Sequence, residues 1–425
     1  MCLFNNKRKV YITMNDKREK FASRLGFILV SAGCAVGLGN VWKFPYICGK
    51  NGGAAFIVIY LLCLLGLGLP ILICEYAIGR GSNKSLGSAF KMLSPEGTRW
   101  HHFRWVAYAG NYLLMMFYTM VAGWMLNYFV YSLTGQLSGK NVEQIGGEFN
   151  NMLSTPSVMI FWTLVVVVIS ILVCSLGLQK GVEKISKVMM ILLFALMIIM
   201  AVNSLLLDGS SEGLKFYLVP DFSKMREQGI GNVVFAAMSH AFFTLGLGIG
   251  SMEIFGSYLS RDCKLTGESI NVVILDTVVA LTAGIIIIPA CFAYGINPGA
   301  GPSLLFITLP NVFNQMPGGV IWEVLFFIFM AFAALSTVIA VYENIIAMTM
   351  DLFNCSRKRA SLVNLFVISV LCMPAVLGYN VLSGVQPLGA GTTIMDLEDF
   401  IVSYNILPLG CLIRAFLYKK ERLGI

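Results

Sequence analysis

Apolar segments of about 20 residues recur along the whole chain, and each is long enough to cross a lipid bilayer. Hydrophobic residues make up 57% of the 425 residues and charged residues only 12%, which is more apolar surface than a soluble domain can bury. The alternating strands of a membrane β-barrel are missing from the sequence. The sequence therefore predicts an all-α integral membrane protein with many spans.

Ten spanning helices are predicted, so both termini lie on one side of the membrane. The predicted helices cover residues 25–47, 55–79, 103–134, 156–176, 183–207, 229–258, 268–295, 320–352, 360–379 and 397–419. With cytoplasmic termini, only six of the 30 Lys and Arg residues fall outside: Lys43, Lys50, Lys140, Lys215, Lys224 and Arg226. The positive-inside rule thus predicts this orientation, and the net charge of +8 requires no nucleic-acid partner.

The first 20 residues are polar and basic, which argues against a cleavable signal peptide. The stretch MNDKREKFASRLGF looks like an ordinary beginning, so Met14 is a candidate for the natural start. The eleven cysteines are scattered without CxxC spacing. We interpret them as small hydrophobic residues rather than metal ligands or disulfide partners.

Two of the apolar segments contain clusters of glycine, AGCAVGLGNVWKFP at 32–45 and FFTLGLGIGSME at 242–253. Glycine weakens a helix, and unwound backbone inside a membrane is tolerated only where it lines a cavity. Because GLG at 37–39 is echoed by GLG at 246–248, the pattern favours an inverted-repeat transporter with its site near the midplane. The alternative is close helix packing, since Gly33 and Gly37 also have GxxxG spacing.

The stretch RLGFILVSAGCAVGLGNVWKFPYICGKNGGAAF resembles the first helix and following turn of the neurotransmitter:sodium symporter family. Further matches are FYTMVAGW at 117–124, FFTLGLGIG at 242–250, DTVVALTAG at 276–284, AALSTVIAVYE at 333–343 and DLEDF at 396–400. The resemblance implies the LeuT-like fold of the bacterial leucine transporter, a 5+5 inverted-repeat bundle with discontinuous helices 1 and 6. It also implies import of an amino acid by sodium-coupled alternating access in a bacterial inner membrane.

On this basis the chain divides into two repeats that are joined and flanked by short segments. The expected divisions are a cytoplasmic segment 1–24, repeats 25–207 and 229–419, extracellular loops 208–228 and 296–319, and a tail 420–425. Most bacterial relatives have eleven or twelve spans, whereas this sequence ends after the tenth. The oligomeric state is therefore left open, since later helices could supply dimer contacts.

The resemblance implies two sodium sites made of oxygen ligands, which hard cations prefer. The first would combine the Ala35 carbonyl with the side chains of Asn40, Thr244 and Asp276. The substrate carboxylate would complete that site.

The second sodium site would join helix 1 to helix 8. Its ligands would be the carbonyls of Gly33, Val36 and Ala333 and the hydroxyls of Ser336 and Thr337. The alternative for the two hydroxyls is ordinary hydrogen bonding within their own helix.

The substrate site follows from the break in helix 1, where free N–H groups and a positive dipole end favour a carboxylate. Gly37 stands where monoamine transporters of the family carry an aspartate, so the substrate should bring its own carboxylate. An apolar pocket then predicts a hydrophobic or aromatic amino acid, with Gly246 leaving additional room. The expected contacts are Ala35, Leu38, Gly39, Leu114, Tyr118, Phe243, Thr244, Gly246, Ile249 and Val341.

Ionisable residues within membrane spans are costly and point to function. Asp276 would supply the negative charge that chloride supplies in animal relatives, and Ala280 replaces their chloride-binding serine. We therefore expect no chloride requirement. Glu75 matches a family glutamate that hydrogen-bonds the broken backbone. Glu253 and His240 depart from the family pattern, and His240 would either titrate near neutrality or simply form a hydrogen bond within the bundle.

Opposed charges at the two ends of the bundle predict gates. The cytoplasmic gate would pair Arg18 with Asp351, beside a network of Tyr258 and Glu343. Phe21 stands there in place of a family tryptophan.

The extracellular gate would pair Lys43 with Asp399. Lysine replaces the family arginine, so the two-pronged geometry of a guanidinium is lost.

Two other functional classes remain open from the sequence alone. A proton-coupled carrier or exchanger could use the same fold, although Ser336 and Thr337 favour sodium. A non-transporting membrane sensor is the second alternative. An enzyme is not expected, because no nucleophile–base set is apparent.

Overall fold

The computed structural model describes residues 19–94, 97–260, 262–295 and 304–421, and these residues contain helices but no β-strand. Within them, eight helices are long and apolar enough to cross a membrane. Their bounds are Ala54–Ser82, Trp100–Leu133, Pro156–Ser175, Leu178–Leu205, Leu265–Ala293, Gly319–Phe353, Arg357–Leu377 and Ile394–Phe416, and they correspond to predicted helices 2–5 and 7–10.

The two remaining predicted spans are interrupted. Helix 1 consists of Arg24–Ala35 and Gly39–Lys50, which are bent by 50° at the break between them. Helix 6 consists of Ile230–Thr244 and Ser251–Ser257, joined by six residues without helical structure. The sequence predicted both interruptions from their glycines.

Helices 3 and 8 form the centre of the bundle. In the apolar 18-residue stretches of helices 3 and 8, 72% and 78% of the stretch is buried by protein. In the corresponding stretches of helices 2, 5 and 10 the buried share is 33% each. Leu, Val, Ile and Phe side chains on helices 4, 5 and 9 remain exposed, as the lipid-facing side of a spanning helix requires. Helix 1 packs against helix 8, and helix 6 packs mainly against helix 2, with its second half also contacting helix 8.

Short helices lie between the spans, and the sequence did not predict them. Their bounds are Leu86–Leu93, Val142–Ser154, Ser210–Leu218, Phe222–Gln228 and Leu309–Gln315. Helix Val142–Ser154 begins with a capping box in which Asn141 and Gln144 hydrogen-bond each other's backbone N–H. The predicted loop 208–228 is thus largely helical.

Several helix ends differ from the predicted bounds for local reasons. Helix 5 begins at Leu178 rather than 183, because a π-helical turn precedes the regular helix. Helix 10 begins at Ile394 rather than 397, since the Thr393 side chain caps it by accepting from the N–H of Asp396. These local features do not change the order of the spans.

Candidate functional site

The break in helix 1 is stabilised by contacts with side chains of helix 3 and of its own second half. The Leu38 N–H donates to the Tyr118 hydroxyl at 2.7 Å, and the Gly37 N–H donates to Asn40 Oδ1 at 3.3 Å. A Cβ atom added to Gly37 would overlap the Tyr118 and Thr337 hydroxyl oxygens. A side chain at Gly37, an aspartate included, would therefore require these two hydroxyl groups to shift.

The break in helix 6 depends on glycine geometry. Gly246, Gly248 and Gly250 have φ values of 60°, 95° and 83°, a region that other residues rarely adopt. A Cβ atom on Gly248 would also lie 2.8 Å from Leu407 Cα. The glycines of GLGIG therefore both turn the chain and let helix 10 approach it.

The three side chains predicted for the first sodium site meet between helices 1, 6 and 7. Thr244 Oγ1 lies 3.0 Å from both Asn40 Oδ1 and Asp276 Oδ1. The Asn40 amide donates to Asp276 Oδ1 at 2.8 Å and to its carbonyl at 3.0 Å. All three side chains are buried.

Asp276 is a buried carboxylate that needs a counter-charge. In the described part of the chain no Lys or Arg forms a salt bridge with it. Its second oxygen lies 3.5 Å from the Tyr60 hydroxyl, a neutral group. Because an uncompensated buried charge is costly, this donor set fits a bound cation with oxygen ligands.

The five groups predicted for the second sodium site also come together. The Thr337 hydroxyl lies 3.2 Å from the Gly33 carbonyl and 3.4 Å from that of Val36. The Ser336 hydroxyl lies 3.4 Å from the Val36 carbonyl and 3.0 Å from that of Ala333. The cluster contains only neutral oxygens and joins helix 1 to helix 8. No cluster of His, Cys, Asp and Glu suited to a transition metal occurs among the described residues.

A small cavity lies between the two breaks. Nine of the ten predicted substrate contacts line it; the exception is Leu38, whose N–H contacts Tyr118. Its further lining residues are Cys34, Gly37, Ser251, Thr337 and Leu407. Sequence reasoning did not assign Cys34, Ser251 or Leu407 to the cavity, since each reads as an ordinary packing residue.

Lys43 and Asp399 lie next to this cavity, at the end of the bundle opposite the termini. The Lys43 ammonium lies 3.1 Å from both carboxylate oxygens of Asp399. The Ser403 hydroxyl also contacts that carboxylate. The ammonium lies 4.2 Å from the centroid of the Phe243 ring, which lines the cavity. The predicted pair is therefore in contact, with a lysine–aromatic interaction beneath it.

At the end that carries the termini, Phe21 packs against Phe27, Phe255 and Tyr258, with ring centroids 5.5, 6.3 and 5.9 Å away. The Tyr258 hydroxyl donates to Glu343 at 2.7 Å, as the sequence predicted.

Arg357 completes this network, although nothing in the sequence distinguishes it from the basic residues at 358 and 359. Its guanidinium donates to both Glu343 oxygens, at 2.6 and 2.9 Å. Arg18 lies outside the described residues. Its predicted partner Asp351 accepts from the Ser85 N–H and hydroxyl, at 2.7 and 2.6 Å.

Glu75 contacts the broken backbone of helix 6, accepting from the Gly248 N–H at 2.7 Å. It also lies 3.0 Å from Arg414 Nε, and Glu253 lies 3.5 Å from Arg414 Nη2. All three side chains are fully buried. Arg414 was missed, although a lone charge in a membrane span is the signal that could have identified it.

Of the two alternatives for His240, the hydrogen bond within the bundle is wrong for the described residues, where neither ring nitrogen has a partner. The ring instead stacks on Phe44 and packs against Tyr60, with centroids 5.7 and 5.4 Å away. Three aromatic rings therefore share one buried cluster, in which packing replaces the expected polar contact.

Two broken helices that present oxygen clusters beside a cavity define a secondary transporter of the discontinuous-helix class. Residues 18–151 and 140–407 match the sequence profile of the Sodium:neurotransmitter symporter family. The chain belongs to this family, whose members are secondary transporters rather than enzymes.

Individual relatives agree with this assignment. The sodium-dependent transporter YhdH of Bacillus subtilis is 37% identical over 398 residues, which cover 94% of this chain and 87% of YhdH. A sodium-dependent transporter of Haemophilus influenzae is 32% identical, over 96% of this chain and 91% of its own. The crystal structure of MhsT in complex with L-phenylalanine superposes with a TM-score of 0.86 at 41% identity, covering 94% of this chain and 89% of MhsT.

The predicted LeuT-like helical fold is therefore confirmed, and the family supports sodium-coupled amino-acid transport.

Proposed function

We propose that this protein imports a hydrophobic or aromatic amino acid by symport with sodium, through alternating access. The observation that carries the proposal is Asp276, a fully buried carboxylate beside the cavity that has no salt bridge to a Lys or Arg in the described part of the chain. A sodium ion bound with Asn40 and Thr244 would supply its counter-charge. Sodium here is a transported substrate rather than a fixed cofactor.

The amino-acid end of the substrate would lie at the helix 1 break. The Tyr118 hydroxyl and the Gly39 N–H would donate to its carboxylate, which would also be a ligand of the first sodium. The side chain would lie against Leu114, Ile249 and Val341, which are apolar and line the cavity. The phenylalanine bound to MhsT supports a substrate of this class.

The second oxygen cluster would bind a second sodium and hold helix 1 against helix 8. Chloride would not be required, because Asp276 provides a fixed negative charge and Ala280 offers no hydroxyl. We further propose a bacterial inner membrane as the location, with both termini in the cytoplasm, from the distribution of Lys and Arg.

Uptake into proteoliposomes containing the full chain tests this function. An inward sodium gradient should drive accumulation of one or more hydrophobic amino acids, and potassium or a pH gradient alone should not. Sodium and amino acid should also raise each other's affinity by the same factor, because linkage is reciprocal. Uptake driven equally by a pH gradient without sodium would favour the proton-coupled alternative, and binding without uptake would favour a sensor.

A matched pair of variants connects the result to the site. Asp276→Asn should weaken sodium-dependent binding, whereas Asp208→Asn should leave it unchanged. Asp208 is exposed and follows the end of helix 5. Its substitution removes the same negative charge as Asp276→Asn, but away from the cavity.

A further inference from the structure

Gly246 lies beside two residues of the cavity lining that carry a hydroxyl or a thiol. A Cβ atom added to Gly246 would lie 3.8 Å from Ser251 Cβ and 3.9 Å from Cys34 Sγ, at ordinary contact distance. Both residues belong to the lining of the cavity.

The Ser251 hydroxyl has an unused capacity for hydrogen bonding. Ser251 is the first residue of the second half of helix 6 and is fully buried. Its oxygen has no hydrogen-bonding partner among the described residues. A buried hydroxyl without a partner is unfavourable, so a group that enters the cavity and pairs with it gains affinity.

Ser251 and the Tyr118 hydroxyl, which would bind the substrate carboxylate, belong to different helices. Tyr118 lies on helix 3 and contacts the helix 1 break, whereas Ser251 follows the helix 6 break. Other residues that line the cavity are apolar, including Leu114 and Ile249. Such a pocket suits a ring with one polar atom at its edge, as in phenol or indole.

We infer that Ser251 determines specificity, because its hydroxyl hydrogen-bonds the polar atom of an aromatic substrate side chain and so favours tyrosine or tryptophan over phenylalanine. This inference rests on the proposed function, since it requires an amino acid in the cavity. A serine hydroxyl both donates and accepts, so it can pair with a phenol oxygen or an indole N–H.

Binding of phenylalanine, tyrosine and tryptophan to the purified full chain in saturating sodium tests the inference. The wild-type protein should bind tyrosine or tryptophan about threefold to tenfold more tightly than phenylalanine, the gain that one neutral hydrogen bond supplies. Ser251→Ala should reduce that ratio to near one by weakening tyrosine and tryptophan binding more than phenylalanine binding. Ser239→Ala is the matched control, because Ser239 is also buried in helix 6 without a partner for its hydroxyl but does not line the cavity.

Each other outcome has a distinct meaning. A wild-type preference for phenylalanine over both other amino acids overturns the inference, and this measurement needs no variant. Equal loss of affinity for all three in Ser251→Ala also overturns it, by showing a general structural role. If none of the three binds in a sodium-dependent manner, while other amino acids do, the inference fails and the symport proposal stands. Absence of sodium-dependent binding for every amino acid refutes the proposed function itself.

Discussion

Removal of Arg414 should destabilise the protein more than any surface substitution, because it would leave two buried carboxylates without their shared counter-charge. Arg414 lies 3.0 Å from Glu75 and 3.5 Å from Glu253. It also donates to the Gly248 carbonyl at 2.7 Å, on the helix 6 break. The perturbation we consider is Arg414→Met, which roughly preserves length and removes the charge.

The magnitude follows from the two distances. Coulomb's law with an effective dielectric constant of about 20 gives about 5 kcal/mol for unit charges 3.0 or 3.5 Å apart. Loss of one partner from a buried ion pair costs about 3–5 kcal/mol in measured cases, because the remaining charge stays buried. We therefore expect Arg414→Met to lower the free energy of unfolding by about 3–5 kcal/mol.

The same reasoning predicts a rescue. Adding Glu75→Gln and Glu253→Gln to Arg414→Met removes every charge from the cluster and should recover most of the loss, since neutral replacement of a buried ion network is often tolerated. Arg226→Met is the control, because Arg226 is exposed on a short helix. Glu253→Gln alone should be neutral or stabilising, because two carboxylates share one guanidinium.

Titration with sodium dodecyl sulfate in mixed micelles, followed by tryptophan fluorescence, measures these differences. The order expected for the free energy of unfolding is wild type and Arg226→Met highest, the triple variant next, and Arg414→Met lowest. The electrostatic argument would be refuted if the free energy of unfolding of Arg414→Met lay within about 1 kcal/mol of the wild-type value. It would also be refuted if the triple variant were no more stable than Arg414→Met.

Three further predictions concern sodium and pH. Ser336→Ala with Thr337→Val should abolish sodium protection of a cysteine placed at Phe21 against thiol reagents, in a background without accessible cysteines; full protection would exclude the helix 1–helix 8 latch. Asp276→Asn should weaken sodium and substrate binding, and chloride should partly restore both, whereas a chloride requirement in the wild type would contradict the role of this carboxylate. Glu148 accepts a hydrogen bond from the Lys140 ammonium, which lowers the pKa of Glu148. The small contribution of this carboxylate to stability is therefore present above its unfolded-state pKa and is lost as the pH falls through its folded-state pKa. Thermal denaturation of Glu148→Gln should lack this pH-dependent loss of stability.

The sequence predicted the breaks and the groups around them because the causes are local. Glycines at 246 and 248 occupy left-handed backbone, and the same residues would have been poor choices inside a continuous helix. The hydroxyls of Ser336 and Thr337 lie one residue apart on helix 8 and reach the same break, so a short motif was enough to predict their neighbourhood.

The contacts that were missed join residues that are distant in sequence. Arg414 pairs with Glu75 and Glu253, which lie 339 and 161 positions earlier in the sequence. The residues around these two glutamates do not indicate the pairing. Arg357 was one charge among three consecutive basic residues, so sequence could not show which of them turns inward to Glu343. Such contacts depend on tertiary packing, which the local patterns of a single sequence do not reveal.

The two breaks are held by different chemistry, and this difference indicates which of them can respond to ligands. Charged side chains tie the helix 6 break, since Glu75 accepts from the Gly248 N–H and Arg414 donates to the Gly248 carbonyl. Neutral hydroxyls of Tyr118 and Thr337 contact the helix 1 break, at 2.7 Å from the Leu38 nitrogen and 3.4 Å from the Val36 carbonyl oxygen. A carboxylate or a cation can replace those neutral hydrogen bonds, whereas the fully buried charges cannot separate without a large cost. Because a ligand shifts an equilibrium only through its differential affinity for two states, we expect sodium and amino acid to act mainly on helix 1, with helix 6 as the fixed wall against which it moves.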